Sequence, residues 1–542
     1  MTGQAVQERV DALFGELTQP GSPGCALGVM KDGELIYKQG YGLANLEYDI
    51  PITPSTIFHV ASMSKQFTGM AVALLADGGR LSLDDDIRQY LPEIPDYGEA
   101  ITIRHLIHHT SGLRSDLILL ISAGWRLEDV ITNADVLELV KMQRNLNFLP
   151  GEKFAYGGVG YLLLAELVER VTGQSFAAFC QEEIFEPLGM ARTHFHDDYL
   201  RVVRNRAYAY YPVDDDHYEN AILTCALVGG TGLYTTIEDL ALWDENFYTA
   251  QVGGPPVIEQ MHQRAVLSNG EEVDYAFGLM LERYKGREVV VHGGDGAGIH
   301  SYMMRCPEAH LSVAILGNHG ALKARQLACQ VADVYLGDAP ADDGPDTTVA
   351  EPIEVDEAEL RAKAGRYYDA ETAAYVDVEF NDGRLQIWGY DLAPVSRHSF
   401  VFVAAPEASA EFAPATPTGP AQVLVDTGAN RTRYARAEMV RPTPEALRAY
   451  TGRYHSPELA VYWTITLDDD ELVVQRKRQG RSSLTPIIAD VFSDGWMGPI
   501  LHSAAKPATL AFERDASDAV SGFRLSDSGG RVCNVAFIKQ DA

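Results

Sequence analysis

Cysteine is scarce in this chain, with six in 542 residues, at positions 25, 180, 225, 306, 329 and 533. Spacing so wide supports neither a disulfide framework nor a thiolate metal cluster, and it fits a reducing, cytoplasmic location. Positive charge is scarce too. Lys plus Arg total 44 against 76 for Asp plus Glu, a formal net charge of −32. A field of that sign repels phosphate, which argues against nucleic acid and against an anionic membrane surface as partners. No run of 18 or more apolar residues occurs, so no membrane-spanning helix is expected. The opening stretch MTGQAVQERVDALFGEL lacks the charged-then-apolar order of a secretory leader. Its Val6, Val10, Leu13, Phe14 and Leu17 instead share one face of a helix. The motifs G-x-S-x-G, H-E-x-x-H and G-x-x-x-x-G-K-[ST] are also missing. The 15 histidines show no ligand spacing, His105, His108 and His109 included, so neither a metal nor another cofactor is expected.

What is present is ordinary globular material: 46% hydrophobic and 22% charged residues. At roughly 150 residues per domain, the length points to three or four domains. Residues 1–337 read as one unit. Cys25 to Met30, a Lys31-Asp32-Gly33 turn and Leu35 to Lys38 form a hairpin pattern. Helical spacing follows at Ser64 to Leu75 and Tyr161 to Val171, then strand patterns at Val289 to His292 and Leu311 to Leu316. Residues 338–354, rich in Asp, Pro, Thr and Ala, read as a linker.

Beyond the linker the sequence repeats itself. LRAKAGRYYDAETAAYVDVEFNDGRLQI, from Leu360, aligns without a gap on LRAYTGRYHSPELAVYWTITLDDDELVV, from Leu447, at a constant offset of 87. Alternating apolar residues joined by Asp/Gly turns indicate antiparallel strands in both copies. Two modules, 355–440 and 441–542, are therefore expected, each a small closed antiparallel β-barrel. Removing them should leave a folded first domain with altered specificity.

The chemistry concentrates between Ile57 and Gly79. Ser62-Met63-Ser64-Lys65 is an S-x-x-K sequence, and Phe67, Ala71, Leu74 and Leu75 suggest a helix beginning at Ser62. Residues at i and i+3 meet on one helix face, so the Lys65 amine can reach the Ser62 hydroxyl. A hydroxyl is a weak nucleophile until a base takes its proton, and a desolvated lysine can be that base. Taken alone, the match could equally be a serine near a solvated lysine. Two other stretches add to it: Pro150 to Tyr161, with Tyr156 in a glycine-rich loop, and Val291 to Gly298, containing His292-Gly293-Gly294. Separately each reads as a packing aromatic or a strand-end turn.

Together, in this order, they resemble the penicillin-recognising serine hydrolases: class C β-lactamases, DD-peptidases, related esterases and D-aminopeptidases. The family order is S-x-x-K, then Y-x-N or Y-x-S, then K-T-G or H-x-G. Here these are Ser62-Met63-Ser64-Lys65, Tyr156-Gly157-Gly158 and His292-Gly293-Gly294. The stretches from His108 to Leu113 and Gly229 to Thr236 also look family-like, and both read as structural turns; Thr235 and Glu238 fit a capping box. The resemblance implies a multidomain α+β chain. Its first domain would be serine β-lactamase-like, an antiparallel sheet flanked by helices plus an all-helical region, and the two barrels follow. That architecture is nearest to D-aminopeptidases.

The implied function is hydrolysis through an acyl-enzyme of small amide, peptide or ester substrates, with a D-aminopeptidase or D-amino-acid amidase-like activity foremost. A carboxylesterase or a β-lactamase/DD-peptidase-like hydrolase is the alternative, and a non-catalytic ligand-binding protein is the alternative from another class. The resemblance assigns Ser62 as nucleophile and Lys65 and Tyr156 to the proton traffic. Backbone N–H groups of Ser62 and Asp295 would form the oxyanion hole, and His292, Gly294, Asp295 and Gly158 would line the substrate. Ser64 and Ser111 are the next candidate nucleophiles. Partners are then a small molecule or short peptide, with a homodimer as a candidate assembly. One position departs from the family: Gly158 stands where Asn or Ser is common, so a side chain that orients substrate amide and lysine is missing. Finally, Arg476-Lys477-Arg478 and Arg481 form a basic cluster in the last module. It is either a solvated strand-end turn or a loop reaching the active site.

Overall fold

A computed structural model describes residues 3–126, 128–214, 217–337, 353–403, 405–427, 431–495, 508–527 and 529–541. Most of the expected linker, up to residue 352, lies outside the described residues. The first domain is built on a six-stranded antiparallel sheet. Its strands are β1 (Cys25–Lys31), β2 (Glu34–Tyr41), β3 (Met280–Tyr284), β4 (Arg287–Gly296), β5 (Ile299–Cys306) and β6 (Leu311–Gly317), in the order β3-β4-β5-β6-β1-β2. The β1–β2 connection needs left-handed backbone at two successive residues, met by Asp32 (φ 52°) and Gly33 (φ 82°), as in a tight hairpin of primed type. β1 then pairs with β6 from Cys25↔Gly317 to Lys31↔Leu311, joining the two ends of the domain.

Both sheet faces are covered, and alternation along β1 shows it. Cys25, Leu27 and Val29 point into a core with Val10 of α1 (Gly3–Ala12) and Ala328 and Val331 of α7 (Ala324–Leu336). Ala26 and Met30 point to the opposite core, shared with α2 (Lys65–Asp77), α5 (Val159–Thr172) and α6 (Ile237–Thr249). Gly28 has no Cβ because Ile237 of α6 lies directly over it. Two further helices, α3 (Asp116–Ser122) and α4 (Asn133–Met142), pack through Leu119, Leu120, Val136 and Val140 into this second core. The N-terminal helix stops at Ala12, short of the expected Leu17, and a 3₁₀ turn at Gly15–Thr18 follows. The expected capping box is not formed: the N-cap is Thr236, one residue later, which accepts from the Asp239 N–H, and Glu238 is drawn off to Lys38 and Arg192.

The C-terminal region forms two closed eight-stranded barrels, from Gly365–Tyr368 to Arg431–Arg436 and from Gly452–Ser456 to Val535–Lys539. The repeat is visible in detail. Gly365 and Gly452 share φ near 150° (147° and 149°). The Tyr367 hydroxyl donates to the Lys363 carbonyl and Tyr454 to that of Tyr450. Arg366 covers the Tyr375 ring as Arg453 covers that of Tyr462. Each pair is separated by the same offset as the sequences.

The last barrel is not a detachable appendage. Its Trp463, Phe523 and Phe537 belong to the same contiguous core as α2, α3 and α5. Arg114, 1% exposed, pairs at 2.5 Å with Glu458, 2% exposed. Glu458 also accepts from the backbone N–H groups of Arg144 and Ala536, and its carbonyl accepts from Gln143. This argues against a truncated first domain standing intact: truncation would expose the apolar face of that shared core and remove the anion paired with Arg114.

Candidate active site

Ser62 lies in a 3₁₀ turn, Ala61–Ser64, which runs directly into α2. The helix expected from Ser62 thus begins with a tighter turn, in which side chains at i and i+3 eclipse. Lys65 Nζ consequently stands 2.9 Å from Ser62 Oγ. The lysine is 2% exposed, and its second hydrogen bond, also 2.9 Å, goes to the Gly230 carbonyl. Ala61, just before Ser62, holds left-handed backbone at φ 45°, a conformation a non-glycine residue keeps only where surroundings enforce it. Here Ser64 enforces it: its fully buried hydroxyl donates to the Ala61 carbonyl and accepts from the Leu233 N–H. Ser64 is therefore a brace of the turn. Ser111 is likewise buried, receiving the Leu113 N–H.

Tyr156 enters from the loop before α5, with Lys65 Nζ 4.8 Å from its ring centroid. The His109 ring packs against it at 4.5 Å, and those of Tyr275 and His292 follow at 5.9 and 6.1 Å. His292 is buried on β4, its Nδ1 2.6 Å from the Gly293 carbonyl and its Nε2 3.2 Å from the Tyr275 hydroxyl. That pattern fixes Nδ1 as donor and Nε2 as acceptor of the tyrosine proton. Burial, reinforced by the Lys65 charge, lowers the His292 pKa to about 3. His109 is pushed well below its ordinary value by the same causes. Both imidazoles are neutral near pH 7, which leaves Lys65 facing aromatic rings.

The end of β4 closes the site. A Cβ on Gly294 would overlap the Val60 carbonyl, so glycine there is required for β4 to lie against the turn that carries Ser62. Ser301 Oγ seals the junction by donating to that carbonyl at 2.9 Å. Asp295 follows, with its side chain turned outward to His300 at 2.6 Å. Gly158, preceding α5, has its Cβ direction filled by the Asp116 carboxylate, whose oxygens lie 2.6 and 2.8 Å from where that carbon would be.

The structure thus gathers Ser62, Lys65, Tyr156, Gly158, His292 and Gly294 around one point, with the Asp295 backbone next along β4. Sequence reasoning missed Tyr275, Asp116 and the part played by the two stretches read as turns. His109 of the first packs against Tyr156, and Gly230 of the second holds Lys65. Their motif-like sequences were the available signal; Tyr275 and Asp116 lie in none. Among the described residues, no three His, Cys, Asp or Glu side chains are grouped to hold a metal ion.

The basic cluster of the last module sits at a strand-end turn, as one of its two readings expected: Lys477, Arg478 and Arg481 are exposed, the latter two paired with Asp129 and Asp468. Arg476 is buried against Asp494 and over Trp463. Gln479 donates to the carbonyls of Ile121 and Trp125 at 2.8 Å, clamping the C-terminal end of α3. A different loop of the same barrel comes closer: Arg531 lines the depression beside Tyr156 together with His109, Ser115 and Asn147.

Comparison with known proteins agrees with this geometry. A D-aminopeptidase of Gluconobacter oxydans (strain 621H) is 28% identical over 513 residues, covering 91% of each chain. Penicillin-binding protein 4* of Bacillus subtilis (strain 168) is 32% identical over 302 residues, 53% of this chain and 66% of its own. The octameric penicillin-binding protein homologue from Pyrococcus abyssi shares the fold over 89% of this chain and 99% of its own, with a TM-score of 0.56 at 21% identity. The Beta-lactamase family model matches residues 4–335, more than half the chain, with Ser62, Lys65, Tyr156 and His292 among them. The protein belongs to that family, the penicillin-recognising serine hydrolases.

Proposed function

We propose that this serine hydrolase cleaves small D-amino-acid amides, esters or short peptides through an acyl-enzyme on Ser62. The observation that carries the reading is the 2.9 Å contact between Ser62 Oγ and a Lys65 amine withdrawn from solvent. In this reading Lys65 and Tyr156 pass the Ser62 proton to the leaving group, since an amide leaves only when its nitrogen is protonated. The oxyanion is received by the N–H groups of Ser62 and Asp295. Each such donor typically contributes about 2.7–4 kcal/mol to the transition state. His292 acts through Tyr275, because both its nitrogens are engaged. The full-length similarity to D-aminopeptidase, barrels included, favours the D-amide substrate class. Assembly as a homodimer and a cytoplasmic location belong to the same reading; light scattering and fractionation test them.

The deciding experiment compares D-alanyl and L-alanyl p-nitroanilide with Ser62→Ala as control. Faster turnover of the D-substrate, lost in the variant, supports the reading; equal or no turnover of both contradicts it. An esterase is the second reading, favoured by the glycine at 158, and rapid p-nitrophenyl butyrate hydrolysis without amidase activity would select it.

A further inference from the structure

We infer that Asp116 takes the place of the side chain missing at position 158 and selects substrates carrying a free amine beside the scissile carbonyl. This rests on the acyl-enzyme reading above and adds a specificity residue to it.

Three observations converge on Asp116. Its carboxylate oxygens sit 2.6 and 2.8 Å from where a residue-158 Cβ would be, so glycine at 158 and aspartate at 116 are complementary choices. The added Cβ of the neighbouring Gly157 would meet nothing within 4 Å, so the filling is particular to 158. Asp116 also feels the Lys65 charge. Burial raises its pKa from the ordinary 3.8, while Lys65 and the N–H groups of Leu117 and Gly158 act in the opposite direction.

The exchange changes what the position can bind. An asparagine there offers both a donor and an acceptor, whereas an ionised carboxylate only accepts. A free ammonium brings donors and positive charge to such a group, a charge-assisted pairing. An N-acylated substrate, the β-lactam side chain included, presents a carbonyl oxygen that needs a donor and instead meets negative charge. The pairing therefore attracts one class and repels the other.

The last barrel sets this residue in place. The Ser115 N–H donates to the Arg531 carbonyl at 2.9 Å, Arg114 is locked to Glu458, and Gln479 holds the far end of α3. The barrel thus reaches specificity through the segment that carries Asp116.

The test measures kcat/KM for D-alanine methyl ester and N-acetyl-D-alanine methyl ester in the wild type, Asp116→Asn and the double variant D116A/G158N. The wild type should prefer the free amine at least tenfold. Asp116→Asn should cut that ratio at least tenfold, through KM of the amine substrate. The double variant, which clears the carboxylate and restores an asparagine at 158, should favour the N-acetyl ester. A wild type that does not prefer the amine, or variants in which both substrates fall by one factor, would overturn the inference, since a purely structural role leaves the ratio fixed. Ester substrates keep the result separate from amidase activity. Failure of D-alanyl p-nitroanilide alone contradicts the proposed reaction, and an unchanged ester ratio alone contradicts the role of Asp116.

Discussion

Replacing Glu458 by alanine removes one carboxylate from the last barrel and should destabilise a domain more than 300 residues away in sequence. The carboxylate accepts from Arg114 Nη1 at 2.5 Å, from the Arg144 N–H at 3.0 Å and from the Ala536 N–H at 3.1 Å. Arg114 is 1% exposed and cannot turn to water. Breaking a buried pair by removing one partner costs about 3–5 kcal/mol, because the other charge stays buried and uncompensated. An exposed pair sets the contrast. Glu357 and Arg361, 62–63% exposed, make an i,i+4 bridge at 2.6 Å, and such pairs contribute roughly 0.3–0.5 kcal/mol. In urea, with a slope of about 3 kcal/mol/M, Glu458→Ala should lower the unfolding midpoint of the first domain by roughly 1–1.7 M. Glu357→Ala should move it by no more than about 0.2 M. The double variant R114M/E458L should recover part of the loss, since apolar replacement of both partners removes the orphaned charge. Equal midpoints for Glu458→Ala and Glu357→Ala would refute the argument that this ion pair joins the barrel to the hydrolase domain.

Three further outcomes follow from the site. Ser64→Ala should cost about 1–3 kcal/mol, because it strips the Leu233 N–H and Ala61 carbonyl of a buried partner, and thermal denaturation reads the loss. Gly294→Ala pushes β4 off the Val60 carbonyl and should lower kcat by about a hundredfold or more while leaving secondary structure intact, as loss of one oxyanion donor does; wild-type kcat would show that this contact does not set the hole. Burial lowers the pKa of His59 and His292 from 6.5 to about 3 and that of His108 to about 4. The unfolded chain therefore binds more protons than the folded one between pH 6.5 and about 4, and stability falls as pH drops through that window. The urea midpoint plotted against pH should show this slope, reduced by roughly one proton in His292→Gln, and an unaltered slope would contradict the burial of His292.

How much of this was legible in the sequence depended on the range of the signal. Elements with a clear local signal were readable: β1 is a short apolar run closed by the Lys31-Asp32-Gly33 turn, α2 and α5 carry apolar faces, and the barrels announce themselves through a repeat aligned on Gly365 and Gly452. The Ser62–Lys65 contact was readable because three residues of local backbone produce it, although a 3₁₀ turn does so here instead of a helix. Contacts made by tertiary placement were not readable. Asp116 reaches Gly158 across two helices, Tyr275 reaches His292 from another segment, and Glu458 reaches Arg114 across 344 positions. None of these has a spacing that a local pattern could reveal. The basic cluster was legible only in part: Lys477, Arg478 and Arg481 are exposed at a strand-end turn, whereas the burial of Arg476 against Asp494 follows from barrel closure that no local pattern shows.

The central claim is that Ser62 is the residue acylated during turnover. Intact-protein mass spectrometry after exposure to a fluorophosphonate probe, followed by peptide mapping, tests it most directly. The account predicts a single adduct on the peptide containing Ser62, absent in a folded Ser62→Ala variant. An adduct that persists in that variant, or that maps to another serine in the wild type, would contradict it.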